Sequence, residues 1–93
     1  MIQSRRNRIY TIDAKLYLLD EYASLLNELE SILDEEAADY EAMPEGSRQS
    51  DRGEESRQAQ AYLQKAVKAL GKVVDGKRKQ ELMDIVHENL RFL

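Results

Sequence analysis

The sequence predicts an all-α fold, and three observations support that prediction. Apolar residues recur at the spacing of helical turns in three segments. Between Thr11 and about Ala42 there is neither Gly nor Pro, and the whole chain holds four Gly and one Pro. Charged residues make up 34% and apolar residues 42% of the 93 residues, which is typical of a soluble helical domain. We therefore expect one domain over residues 1–93, an antiparallel helical hairpin plus a shorter C-terminal helix.

The first predicted helix runs from about residue 11 to about residue 42. Its apolar side chains cover an arc of about 140°, which is wider than the seam between two helices. This helix is therefore expected to touch two neighbours. The stripe consists of Leu18, Leu19, Tyr22, Leu25, Leu26, Leu29, Ile32 and Leu33. Residues 1–10 fit either a backward extension of this helix or a short extended arm, and the sequence does not choose between them.

A turn at residues 43–49 separates the first helix from a second one over about residues 50–74. Pro44 disfavours the α conformation at Met43 and lacks a backbone donor, while Gly46 allows the chain to turn. Ser50 and Asp51 are candidate caps for the second helix. Its apolar stripe consists of Ala59, Tyr62, Leu63, Ala66, Val67, Leu70, Val73 and Val74.

A third helix is predicted over about residues 77–92, with an apolar stripe made of Leu82, Met83, Val86, Leu90 and Leu93. If the second helix simply continued, this stripe would lie roughly 160° from the preceding one. A break near Asp75 and Gly76, where the chain folds back, resolves the mismatch. The alternative is a continuous helix whose exposed tail stripe is buried by oligomerisation.

A helical hairpin of this size has little interior, so we expect dimerisation to complete a bundle. The candidate interface residues lie on the first and third stripes. They are Leu18, Tyr22, Leu25, Leu29, Ile32, Leu82, Val86 and Leu90.

The net charge of −4 conceals an uneven distribution. Residues 1–19 hold four bases and one acid (+3), residues 20–56 two bases and thirteen acids (−11), and residues 57–93 eight bases and four acids (+4). The candidate acidic tip of the hairpin is Glu35, Asp39 and Glu41. The candidate basic end is Arg5, Arg6, Arg8, Lys77, Arg78 and Lys79. In an antiparallel dimer each acidic tip would lie against the other chain's basic end and set the register.

The composition argues against an enzyme. Without Cys there is no disulfide framework, thiolate zinc site or thiol nucleophile. His87 is the single histidine, and the sequence supplies no oriented partner for it. We therefore expect no catalytic residues, no metal and no cofactor. The sequence contains no run of about 18 apolar residues, which is the length needed to span a membrane. Its first residues also lack the apolar segment of a secretory signal, so we expect a cytoplasmic protein without a membrane partner.

The leading functional hypothesis is a protein–protein interaction module, acting as an adaptor, assembly module or small regulator. Its expected partners are a second copy of the chain and an unidentified protein. One alternative is a nucleic-acid-associated protein that grips phosphates with its basic end, although the pI of about 5.0 is low for such a protein. The other alternative is an acidic mimic whose tip occupies a basic site on a partner.

The segment around the predicted turn resembles a linker of known small proteins. It comprises an acidic helix end over residues 34–42, the turn Met43-Pro44-Glu45, and the restart Ser50-Asp51-Arg52-Gly53-Glu54. These features are similar to those of uncharacterised small helical-hairpin proteins of bacteria and their phages or mobile elements. The resemblance covers about a quarter of the chain and implies a hairpin corner in a small accessory or interaction factor. It implies no catalytic residues.

Overall fold

The computed structural model describes residues 1–18, 21–76 and 79–93, except for the side chains of residues 17 and 18. Helices make up 87% of these residues and none of them lies in a strand, which confirms the all-α prediction. The helices are α1 (Gln3–Leu18), α2 (Tyr22–Ala42), α3 (Glu45–Arg48), α4 (Asp51–Val74) and α5 (Lys79–Arg91). Lys77, Arg78 and the side chain of Leu18, which the sequence analysis selected, lie outside the described residues.

The predicted single helix over residues 11–42 is wrong, because two helices occupy this part of the chain. α1 begins at Gln3, so the first ten residues are mostly helical, and α2 begins at Tyr22. The two helices bury different stripes, Ile9, Ile12 and Leu16 in α1 and Leu25, Leu29 and Ile32 in α2. On one straight helix these stripes would lie roughly 160° apart. They can cover a common core only as separate helices.

Four of the helices pack around one core. α2 and α4 are antiparallel: the Ser56 hydroxyl donates to Glu36 near one end, and Leu26 lies beside Gly71 near the other. α5 lies along α4, and α1 contacts both α2 and α5. The buried apolar side chains come from all four helices. One chain therefore supplies an antiparallel four-helix bundle, whereas the sequence analysis expected a second copy to complete it.

The chain reverses direction between α4 and α5. Gly76 has a φ of 84°, a left-handed conformation that favours glycine, and its amide donates to the carbonyl oxygen of Val73. α5 then returns along α4 and buries Met83, Val86 and Leu90. The chain therefore folds back here, the arrangement that the phase of the tail stripe favours over a continuous helix.

At the other end of the bundle, the short helix α3 forms the corner between α2 and α4, and Arg57 braces it. Arg57 Nη1 donates to the carbonyl oxygen of Arg48 at 2.7 Å and to the hydroxyl of Tyr40 at 3.1 Å. Its other terminal nitrogen pairs with Glu54, and this hydrogen bond lowers the pKa of Glu54 below its ordinary value. Because the folded-state pKa is lowered, the pair stabilises the corner at neutral pH and loses its contribution as the pH falls through that pKa.

Gly53 is the tightest point of this corner and gives a first testable prediction. A Cβ atom added at Gly53 would lie 2.0 Å from the carbonyl oxygen of Arg48, whereas one added at Gly46 meets nothing within 4 Å. We expect Gly53→Ala to lower the free energy of unfolding by about 1–3 kcal/mol, because backbone atoms must move. Gly46→Ala, the matched control, is expected to leave it unchanged or raise it by up to about 1 kcal/mol. Urea denaturation measures both, and equal effects would contradict the close approach.

Candidate functional site

Arg6 and Arg8 of α1 both pair with carboxylates of neighbouring helices. Arg8 Nη1 lies 2.8 Å from each carboxylate oxygen of Glu35 in α2. Arg6 Nη2 donates to Glu55 of α4 at 2.6 Å, and its Nε donates to the carbonyl oxygen of Leu93 at 3.0 Å. These bonds follow from the antiparallel packing of α1 on α2, which brings the start of α1 to the acidic end of α2. Both arginines therefore hold the bundle together.

Arg5 and Glu36 form a buried ion pair beside these arginines. Arg5 is 5% and Glu36 2% exposed. Arg5 Nε lies 3.4 Å from Glu36 Oε1, in a geometry that makes no hydrogen bond, while the guanidinium also pairs with Asp39. The second oxygen of Glu36 accepts a hydrogen bond of 2.6 Å from Ser56. Because buried charges need partners, this pair ties α1, α2 and α4 together.

The structure corrects the predicted basic end and acidic tip. Lys79 lies with its Nζ 5.0 Å from the ring centroid of Tyr22, at the opposite end of α2 from Asp39, the partner of Arg5. Seventeen residues of helix separate Tyr22 from Asp39, which is roughly 25 Å. The three arginines therefore share no surface with Lys79. Instead, Arg5 pairs with Asp39, Arg8 with Glu35 and Arg6 with Glu55. Of the predicted tip, Glu41 alone has no ion pair among the described residues.

The predicted interface residues are mostly core. Five of them are at most 3% exposed, namely Leu25, Leu29, Ile32, Val86 and Leu90. Tyr22 and Leu82 are half-buried. The stripes that seemed to need a second chain are covered by helices of the same chain, so these five side chains present no surface to a partner. Dimerisation itself stays a prediction.

His87 has a partner that the sequence analysis did not find. Its Nδ1 contacts a carboxylate oxygen of Asp13, and this contact links α5 to α1. The pair lies at a groove of about 510 Å³ whose lining carries charges of both signs, Lys79, Asp84, Glu88 and Arg91. Such a lining selects no charge class of ligand. Nor does any group of three His, Asp or Glu side chains in the described part of the chain have the placement to hold a metal ion.

A second groove lies between α4 and α5, and its charged lining residues are all lysines beside apolar side chains. We call it the lysine groove, and it measures about 250 Å³. Its rim carries Lys65, Lys68 and Lys72 of α4, which recur at i, i+3 and i+7 and therefore share one helix face. Its floor is formed by Ala69 of α4 with Leu82 and Ile85 of α5. Ile85 is 41% exposed.

The three lysines of this groove differ from the arginines of α1. No carboxylate in residues 1–18, 21–76 or 79–93 lies within ion-pair distance of any of the three ammonium groups. Lys65 Nζ is 5.9 Å from the ring centroid of Tyr62, and that ring stacks on Phe92 at 5.0 Å. Phe92 is 60% exposed. Lys65 therefore lies between the lysine groove and an aromatic pair that lines a neighbouring pocket.

The sequence contained a signal for this groove. The spacing of the three lysines is visible in it, and Ile85 and Phe92 lie seven residues apart, off the main stripe of the third helix. The predicted cation contacts lay only at the basic end. The lysine groove was not predicted, because its lysines come from α4 and most of its apolar residues from α5.

The comparisons with known proteins add no relative. The chain matches no protein-family model, no curated protein and no solved structure. The resemblance at the turn to small helical-hairpin proteins therefore stays a prediction. Within the described residues, no helix has both the length and the apolar character needed to cross a membrane.

Proposed function

We propose that this protein is a non-enzymatic protein–protein interaction module, an adaptor, assembly module or small regulatory factor, that binds a helical segment of a partner in the lysine groove. One observation carries the proposal: after the four helices have buried their main stripes on one another, three lysines with no ion pair among the described residues still line a groove with an apolar floor. Concave surfaces between helices that combine an apolar floor with a polar rim are typical of helix-binding proteins. The proposal keeps the expected cytoplasmic location.

The structure weakens the support for the two alternatives that the sequence raised. A nucleic-acid contact through the basic end used Arg5, Arg6 and Arg8 together with the cations of residues 77–79, and the three arginines pair with carboxylates of this chain. The acidic mimic used Glu35, Asp39 and Glu41, and the first two pair with those arginines. The lysines of the lysine groove have no carboxylate partner among the described residues, so the groove is the better supported binding surface.

Photo-crosslinking from two exposed positions tests the proposal. A benzoylphenylalanine at Ala61, four residues before Lys65 on the same face of α4, leaves the groove intact. In a lysate of the source cells we expect one discrete protein adduct from this position, lost when excess unlabelled protein is added. Excess of a variant carrying Leu82→Asp and Ile85→Asp should not compete. The same group at Ser31, exposed on α2, is the matched control.

The adduct distinguishes the outcomes. An adduct of two copies of the chain would identify the partner as itself, which is the predicted homodimer. Equal labelling from Ala61 and Ser31, or full competition by the variant protein, would contradict binding at the lysine groove. The absence of any protein adduct from Ala61 would contradict the interaction module.

A further inference from the structure

We infer that the segment bound in the lysine groove is an acidic amphipathic helix of a partner protein. The inference rests on the proposed function and adds the chemistry of the partner. The apolar side of the helix lies on the floor of the groove, and its carboxylates reach the three rim lysines. The dimensions, the floor and the charge of the groove each support this occupant.

The dimensions of the groove match a short helix. Lys65 and Lys72 are seven residues apart on α4, which is about 10 Å along the axis. Ile85 of α5 and Phe92, just after the end of α5, are also seven residues apart, so the apolar row has a similar length. A helix of two to three turns between the two rows would meet residues of both. Tyr62 contacts both Lys65 and Phe92, so it connects the lysine row with the apolar row at one end.

The floor allows close approach and supplies apolar area. Ala69 is a small residue that lines the groove between the lysines, and it is 5% exposed. Leu82 is half-buried and Ile85 is largely accessible. An apolar side chain placed here removes both from water, a favourable change in proportion to the area covered. The partner surface must therefore be apolar along one side.

The charge of the rim requires an acidic partner. Three ammonium groups on one helix face repel one another, and no carboxylate of the described residues lies within ion-pair distance of them. The long apolar stems of lysine can lie along the floor while the charged ends reach outward. Carboxylates flanking the apolar side of a bound helix would meet these ends. A basic helix of the same shape would add like charges and be rejected.

The combination of lysines with an apolar lining favours a helix over a nucleic acid. Phosphates would use the lysines and gain nothing from Ile85. A bound helix uses both. Dependence of binding on Ile85 and on the lysines together therefore identifies the occupant.

Synthetic peptides test the inference with the full-length chain. One fluorescent peptide of about four helical turns carries Leu along one face and Glu on both flanks, and its partner has every Glu replaced by Lys. Fluorescence anisotropy at ~50 mM salt, where charge contacts are strongest, should show the acidic peptide binding at least about tenfold more tightly than the basic one. Added salt should weaken the acidic complex.

Matched variants distinguish an effect of the groove on peptide affinity from an effect of the protein's net charge. Lys68→Glu with Lys72→Glu should weaken binding of the acidic peptide at least about tenfold and improve binding of the basic peptide. Lys15→Glu with Arg52→Glu makes the same change in net charge at exposed positions outside the groove and should alter neither affinity. Ile85→Ala should weaken the acidic peptide about fivefold, and Tyr10→Ala should not.

Three results would overturn the inference. They are equal binding of the two peptides, equal effects of the two double variants, and tighter binding of duplex DNA or phosphatidylserine vesicles than of the acidic peptide. Failure of this inference can be distinguished from failure of the proposed function. If the adduct from Ala61 persists while the acidic peptide fails, the protein is an interaction module with another kind of partner. If both fail, both proposals are wrong.

Discussion

Replacing Glu36 by glutamine is expected to lower the free energy of unfolding by about 3 kcal/mol. The change keeps the shape of the side chain but removes the charge that faces Arg5 in a buried position. Breaking a buried pair is costly because the remaining charge stays out of water. Asp39 still pairs with Arg5, which holds the loss at the lower end of the usual range. Urea denaturation followed by circular dichroism measures it.

Two further variants separate the buried pair from other effects at this position. Glu30→Gln removes the same charge from an exposed site on α2 and should change the free energy of unfolding by less than about 0.5 kcal/mol. Arg5→Met combined with Glu36→Leu removes both charges and should restore most of the stability. Ser56 can then bond a backbone carbonyl of its own helix. If the double variant is as unstable as Glu36→Gln, packing rather than charge explains the loss.

Ile9→Ala is expected to lower the free energy of unfolding by about 2–5 kcal/mol. Ile9 is completely buried and belongs to the core that all four helices share. Truncation removes apolar area and leaves a cavity between α1 and the rest of the bundle. Denaturation with urea is again the measurement, and a decrease in cooperativity would indicate that α1 separates before the other helices.

The neighbouring residue supplies the matched control for this prediction. Tyr10 is next in the chain and is 55% exposed, so Tyr10→Ala should cost less than about 1 kcal/mol. The pair distinguishes a docked helix from the extended arm that the sequence analysis left open. If Ile9→Ala and Tyr10→Ala both have small effects, α1 is not part of the core.

The second and third predicted helices lie close to the helices of the structure. The predicted range 50–74 compares with Asp51–Val74, and 77–92 compares with Lys79–Arg91. Both segments have strong local signals. A proline-containing turn precedes one of them, and a glycine with a positive φ stands between them. Local backbone preferences and a periodic apolar stripe are sufficient to predict such helices from sequence.

The prediction of a single first helix was wrong because no Gly or Pro marks the division between α1 and α2. Among the described side chains of α1, three apolar ones are buried, and five of the first eight residues of the chain are basic or amide-bearing, so the sequence of α1 resembles a polar arm. The phase of its stripe was the available signal. Ile9 and Ile12 lie on the opposite side from Leu25 and Leu29 if one helix is extended through all of them. The same reasoning had separated the third helix from the second.

The lysine groove was even harder to predict from the sequence than the division of the first helix. The three lysines on one face of α4 are visible in the sequence, but charged rows on a helix are usually solvated. Only the packing of α5 against α4 brings Leu82 and Ile85 beneath them. In the same way, only the docking of α1 makes Arg5 and Arg8 of the predicted basic end internal partners of Glu35, Glu36 and Asp39.

By itself, the sequence determined that the protein is all-α, where the chain turns after α2, and most of the apolar residues of α4 and α5 that face the core. These properties depend on side-chain periodicity and backbone preference within about 30 residues of chain. On the predicted stripe of α4, Val74 is 41% exposed instead. The tertiary structure decided that α1 completes the bundle, that the arginines and acids neutralise one another, and that the lysines of α4 have no carboxylate partner among the described residues. Those properties depend on which helices meet, and charge pairs form between residues that are neighbours in space rather than in sequence.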